Sequence, residues 1–152
     1  MTIRTRMTLR SVFVLPLLGV PAIAATLCVN PAGSGGCSKT IGAAVTAAAA
    51  GDSVEVAAGT YKESVTIGKS LNLFGAGPAS TIIDATGLGT GIYVDGLDNP
   101  KLSNVTVSGF TVENANYEGI VATNATLVTI MGNTVTGNVL LPDWMMLLES
   151  LE

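Results

Sequence analysis

Short runs of alternating apolar and polar residues fill most of the chain, separated by Gly, Asn, Asp and Ser. Ser53-Val54-Glu55-Val56 alternates, and so does Leu71-Asn72-Leu73-Phe74. Thr81-Ile82-Ile83-Asp84, Ile92-Tyr93-Val94-Asp95 and Gly119-Ile120-Val121-Ala122 are runs of similar length. Such runs, rich in β-branched residues and bounded by turn formers, predict short strands. Ala58-Gly59-Thr60-Tyr61 reads as a turn leading to a strand over Glu63–Ile67. Gly68-Lys69-Ser70 and Gly75-Ala76-Gly77-Pro78 read as further turns, and Asp98-Asn99-Pro100-Lys101 as a polar bulge. Nothing between Gly51 and Asn138 has helical periodicity.

The pattern then repeats. Val105-Thr106-Val107-Ser108-Gly109-Phe110-Thr111-Val112 lies over Val128-Thr129-Ile130-Met131-Gly132-Asn133-Thr134-Val135 after a shift of 23 residues. Apolar parity is kept by Val105 on Val128, Val107 on Ile130 and Val112 on Val135. Polar parity is kept by Thr106 on Thr129 and Thr111 on Thr134. A period in the low twenties with strand-like alternation predicts a solenoid, in which no coil buries its apolar face alone. An antiparallel sandwich would show longer strands and two-residue hairpins. The expected fold is all-β, a parallel β-helix over residues 52–138.

One segment has the other period. Ile41, Ala44, Val45 and Ala48 recur at helical spacing between Ser38 and Gly51. Ser38 or Thr40 suits the N-cap, and Gly51 suits the position after the last turn. An open solenoid end must be covered, so this capping helix, with the loop before it, makes a lid over residues 25–51. After Asn138 the turn residues vanish. Residues 139–152 form an atypical tail. It is read either as a C-terminal cap, with a short helix from Pro142 presenting Trp144, Leu147, Leu148 and Leu151, or as the product of a truncation or frameshift. Strand edges left open at that end invite self-association.

Residues 1–24 stand apart. Arg4, Arg6 and Arg10 precede an apolar core from Ser11 to Val20, and Ala22-Ile23-Ala24 is a small-x-small cleavage site. This predicts a secretory signal peptide, cut after Ala24, and a secreted, periplasmic or cell-surface location. The apolar run is short for a membrane span, so no membrane contact is expected after cleavage. All arginines leave with the leader. Four lysines then face the eleven acidic residues, a net charge of −7. That balance argues against nucleic acid. It disfavours polyanionic polysaccharide as well, unless a cation bridges the two. Cys28 and Cys37, joined by a Gly- and Pro-rich loop, predict a disulfide in an oxidising compartment.

The order of these features carries a resemblance. Cys28…Cys37 is followed by Thr40-Ile41-Gly42-Ala43-Ala44-Val45 and by Gly51-Asp52-Ser53-Val54. Then come Gly59-Thr60-Tyr61-Lys62-Glu63, Lys69-Ser70-Leu71-Asn72-Leu73-Phe74-Gly75 and Ala79-Ser80-Thr81-Ile82-Ile83-Asp84. This order resembles the N-terminal part of right-handed parallel β-helix proteins of the pectate-lyase-like superfamily, over about residues 28–138. The resemblance implies fold. For activity it leaves lyases, esterases, epimerases and non-enzymatic surface proteins open. Gly59-Thr60-Tyr61-Lys62-Glu63 is similar to an element near the start of pectin methylesterases. The catalytic residues of that family have no matching motif here, so Tyr61 and Glu63 are read as coil-forming residues.

Candidate chemistry is sparse. Without histidine there is no Ser-His-Asp triad, Cys-His pair or histidine metal site, and no cofactor or metal is expected. The resemblance to pectate lyases implies aspartates holding calcium with an arginine base nearby, and the mature chain has no arginine. Asp84 and Asp95 are the carboxylates placed to lie on adjacent coils, with Asp98, Glu113 and Glu118 in or near the coils. They are read chiefly as solvated turn residues. The Thr106–Thr129 column would present hydroxyls on an outer face, although β-branched residues also suit stacked strands for their own sake. Asn133, aligned with Phe110, is a residue able to bond backbone inside a turn. The expectation is an exported, non-catalytic β-helix segment from a protein that binds or processes carbohydrate, with polysaccharide as partner. The alternatives are a truncated polysaccharide lyase or pectin-esterase-like enzyme with its active site in further coils, and a structural or adhesive surface solenoid.

Overall fold

A computed structural model describes residues 23–138. Twelve strands and one helix follow the chain: β1 (Thr26–Val29), α1 (Ile41–Ala47), β2 (Ser53–Val56), β3 (Gly59–Tyr61), β4 (Val65–Ile67), β5 (Asn72–Gly75) and β6 (Thr81–Asp84). They continue as β7 (Ile92–Asp95), β8 (Ser103–Ser108), β9 (Thr111–Glu113), β10 (Ile120–Thr123), β11 (Thr126–Met131) and β12 (Thr134–Thr136). The strands form three sheets, β1-β2-β5-β8-β11, β3-β6-β9-β12 and β4-β7-β10. From β2 onward the chain visits the three sheets in unbroken rotation, and every pairing is parallel. This is a three-sided parallel β-helix.

The repeat register holds. Val128 pairs with Val105, Thr129 with Thr106, Ile130 with Val107, Thr134 with Thr111 and Val135 with Val112. Val54, Leu73, Val105 and Val107 point inward from the largest sheet, and Val65, Ile67, Ile92 and Val94 from the smallest. Phe110, fully buried, is the largest of these side chains. Burying one such side chain contributes about 2–3 kcal/mol.

Two segments differ from expectation. Gly59–Tyr61 reads as a turn in the sequence but is strand β3, paired with Thr81–Ile83. Three residues are too few for alternation to show, and Gly59 masks the strand. Its first residue must be small, because a side chain there would run into Pro31. Thr26–Val29 is also a strand, β1, which pairs with Ser53–Val56 ahead of the helix. It has one buried residue, Val29, so its pattern carries no period.

The helix is shorter than its pattern. Thr40 is the N-cap and accepts from the Ala43 N–H. The C-cap is Ala48, not the residue before Gly51. Two side chains end the helix instead. Lys69 Nζ donates to the Thr46 and Ala48 carbonyls, at 3.0 and 2.8 Å, and Asp52 Oδ2 accepts from the Ala49 N–H at 2.8 Å. Ile41, Ala44 and Val45 are buried, and the helix packs on β1, β2 and β4. The lid expected from the sequence is in place. Residues 1–22 and the tail 139–152, with its alternative readings, lie outside the described residues.

Candidate functional site

The five-stranded sheet presents the most regular outer surface. Residues that alternate with the buried valines and leucines must face outward. In register they stack Thr26, Ser53, Asn72, Thr106 and Thr129 into one polar column. The predicted Thr106–Thr129 pair is therefore the lower part of a ladder that crosses the whole sheet. A second column runs Cys28, Glu55, Phe74, Ser108 and Met131. At its upper end a cleft of about 490 Å³ opens among Cys28, Asn30, Cys37, Glu55, Phe74 and Ala76.

The cleft is built by three local features. Cys28 and Cys37 are bonded, with Cα atoms 4.7 Å apart, which closes the loop between them beside edge strand β1. That loop is braced internally, since Asn30 Oδ1 accepts from the Ser34 N–H and Asn30 Nδ2 donates to the Ser34 carbonyl. Phe74 stands on the outward parity of β5 and is 37% exposed. Below it the chain turns at Gly75, where any side chain would collide with the Gly109 carbonyl of the next coil. The floor is thus an aromatic face beside the Glu55 carboxylate, under a polar loop. Apolar clefts with a few convergent polar groups are the usual form of small-ligand sites.

The other sequence candidates sit elsewhere. Asp84 ends β6 on the four-stranded sheet, and Asp95 ends β7 on the three-stranded one, so the two do not share a surface. Asp84 accepts from the Thr86 hydroxyl and N–H and from Asn114 Nδ2, at 2.5, 3.2 and 3.1 Å. These bonds, led by the Thr86 hydroxyl, hold its carboxyl below the ordinary range, with a smaller contribution from Lys62. Lys62 Nζ is 4.0 Å away and mostly in solvent, where such a pair is well screened. The in-register neighbour of Asp84 is Glu113. Asp95 is 6% exposed. It accepts from the Leu97 and Asp98 N–H groups at 3.1 Å and so folds the loop after β7.

Tyr61 and Glu63 act inside the coil. Tyr61 is buried and donates its hydroxyl to the Ala57 carbonyl at 2.9 Å. Burial pushes its phenol above the usual value, with Glu63 adding to the effect. Glu63 accepts from the Ile41 and Gly42 N–H groups, both at 2.8 Å, and so holds the helix start.

Sequence reasoning missed the cleft. Cys28, Glu55 and Phe74 are brought together by coils of 27 and 19 residues, unlike the 23 of the clear repeat. One signal was present, namely a large aromatic on the polar parity of Leu71-Asn72-Leu73-Phe74.

A fold of parallel coils under a helical lid, with an exposed sheet face as its regular surface, defines the class. The chain has a right-handed parallel β-helix fold. Among solved structures it is similar to pectin methylesterase from carrot, at 18% identity and a TM-score of 0.52, over 73% of this chain and 40% of that one. It is similar to pectin methylesterase PemA from Erwinia chrysanthemi, at 18% identity and a TM-score of 0.51, over 76% of this chain and 47% of that one. A pectin methylesterase in complex with a hexasaccharide matches at 16% identity and a TM-score of 0.50, over 73% of this chain and 47% of that one. The chain thus spans less than half the length of these structures. No family model matches the sequence, and no curated protein does. Among the described residues no helix is long and apolar enough to cross a membrane.

Proposed function

We propose that this chain is the opening segment of an exported β-helix protein that binds or processes carbohydrate, and that the segment itself holds sugar without transforming it. The observation that carries this reading is the outer face of the five-stranded sheet. An aromatic ring and a carboxylate floor a cleft there, and a ladder of hydroxyl and amide groups runs beside it. Sugar rings need both an apolar face to stack on and donors and acceptors along their rim. The negative net charge favours a neutral or esterified polysaccharide over a polyanionic one. Holding without turnover is supported by the four carboxylates that are committed to structure. Asp52, Glu63, Asp84 and Asp95 all accept backbone N–H bonds that hold turns or helix ends. A general acid or base must instead reach the substrate.

Isothermal titration with methyl-esterified and de-esterified oligogalacturonides tests the reading, alongside methanol release from pectin. The expected result is binding of the esterified form, no methanol, and about tenfold weaker binding for Phe74→Ala. Binding of neither form, or of no glycan at all on an array, would leave a structural solenoid.

One observation favours the second reading, an esterase or lyase whose active site lies in further coils. The chain covers under half of the matched structures. Joining a longer homologous β-helix segment after Asn138 and recovering methanol release would establish it.

A further inference from the structure

The first strand begins where the predicted leader ends, and a buried carboxylate waits there. Among the described residues Ala25 is the first tied into the sheet, since its carbonyl accepts from the Ser53 N–H at 2.9 Å. The Ala25 N–H in turn donates to Asp52 Oδ1 at 2.7 Å. Asp52 is 6% exposed, and its second oxygen is taken by the Ala49 N–H at 2.8 Å. By contrast Ile23, two residues before Ala25, is 91% exposed. The Ala22-Ile23-Ala24 motif, read without any structure, places the cut between Ala24 and Ala25. Sequence and geometry thus converge on one nitrogen.

We propose that Asp52 is the receptor for the chain's own processed N-terminus, so that leader removal creates an ammonium–carboxylate pair at the mouth of the first coil. The inference rests on the export reading above. A signal peptidase adds water across the Ala24–Ala25 peptide bond. Ala24 leaves with the leader as a carboxylate, and Ala25 keeps the nitrogen as an amine, which takes up a proton. The bond to Asp52 Oδ1, in which only the acceptor is charged, becomes an ion pair with charge on both partners, stronger than its precursor. The same carboxylate ends helix α1 at Ala49, so the pair ties β1, the lid and β2 together. Bonds from Ala25 and Ala49 hold the Asp52 carboxyl below its ordinary range even before cleavage, and it is ionised to receive the new charge. Lys69 is the other charged group acting on Asp52, and its ammonium is bonded to the Thr46 and Ala48 carbonyls.

The test begins with expression of the whole chain, leader included, in a bacterium with an export pathway. Intact mass of the exported product is expected to show Ala25 as its first residue. Recovery of the uncut chain alone would overturn the export reading itself. A cut that leaves Ile23 or Thr26 first would overturn the pairing and keep export. The mature protein is then compared with its form acetylated at the Ala25 amine, which keeps the N–H and removes the charge. Both are made in the native and Asp52→Asn backgrounds. Acetylation is expected to lower the unfolding temperature by about 3 °C with Asp52 and to leave it unchanged with Asn. The amine should also hold its proton to higher pH with Asp52 than with Asn, followed by NMR. Its contribution is present below the ordinary amine pKa and fades as pH rises through the raised one. Equal losses on acetylation in both backgrounds, or an amine titration indifferent to Asp52, would sink the proposal.

Discussion

At the scale of single residues, the coils are locked by polar side chains that reach one turn back. Asn133 accepts from the Phe110 N–H and donates to the Val107 carbonyl, both at 3.0 Å. Asn138 repeats this with Ala115 N–H and the Val112 carbonyl, at 2.9 and 3.1 Å. Each clamps a bend by accepting from an N–H just beyond a strand and donating to a strand carbonyl one coil back. Asn133→Ala should therefore cost about 1–3 kcal/mol in urea denaturation, whereas Asn133→Asp should recover part of it by accepting from Phe110. A loss no larger than that of an exposed substitution would refute the clamp. The carboxylates behave alike. The folded-state pKa values of Asp52 and Asp84 are lowered by their bonds, so the stability they add is full above about pH 4 and is lost as pH falls through the lowered values. Tyr61 acts at the other end, because its raised pKa makes stability fall as pH climbs above about 10. A stability–pH profile should show both edges, the alkaline one moving in Tyr61→Phe. The role of Asn133 could be read from its place in the repeat. That of Asp52 could not, because its partner Ala25 is 27 residues away and the pairing exists only once β1 is in the sheet.

Among elements, the helix shows most plainly how local pattern and long-range contact divide the work. Its apolar face is legible at Ile41, Ala44 and Val45. Its N-cap is legible at Thr40, but its end is not, because a seven-residue helix is too short to hold itself and the coil beneath finishes its C-terminus and braces its start. Glu63 meets the first N–H groups and Lys69 the last carbonyls, each with the charge that the helix dipole favours. Glu63 to Lys69 is one stretch of coil, so the lid is fastened by two residues six apart. Glu63→Ala should destabilise the fold by about 2 kcal/mol, with Glu63→Gln intermediate, in the same denaturation assay. Hydrogen exchange should place the loss first in α1. If exchange instead rose evenly along the solenoid, the lid would not be a separate unit. The missed strand β3 follows the same logic. Three residues have no period of their own, and Gly59–Tyr61 becomes a strand because Thr81–Ile83 lies alongside.

For the whole molecule, the decisive fact is that the first and the last described coils differ. At the first coil, helix α1 and the Cys28–Cys37 loop cover the stack, and Val54 is wholly buried. In the last described coil the same inward parity is open. Ile130 is 44% exposed and Val135 51%, although their partners one coil earlier, Val107 and Val112, are fully buried. Among the described residues, the stacking contribution that each coil receives from its neighbours comes to that coil from one side. Parallel strands with unpaired edges and exposed branched residues are a template for a second chain. We expect the protein to associate with rising concentration through this end. Ile130→Lys and Val135→Lys should together shift sedimentation velocity toward the monomer while leaving the circular dichroism of the earlier coils intact. Phe74→Lys, on the central strand of the same sheet, should leave association unchanged. Were it to abolish association as fully, the contact would run through the sheet face, and the cleft beneath the disulfide would be an assembly surface.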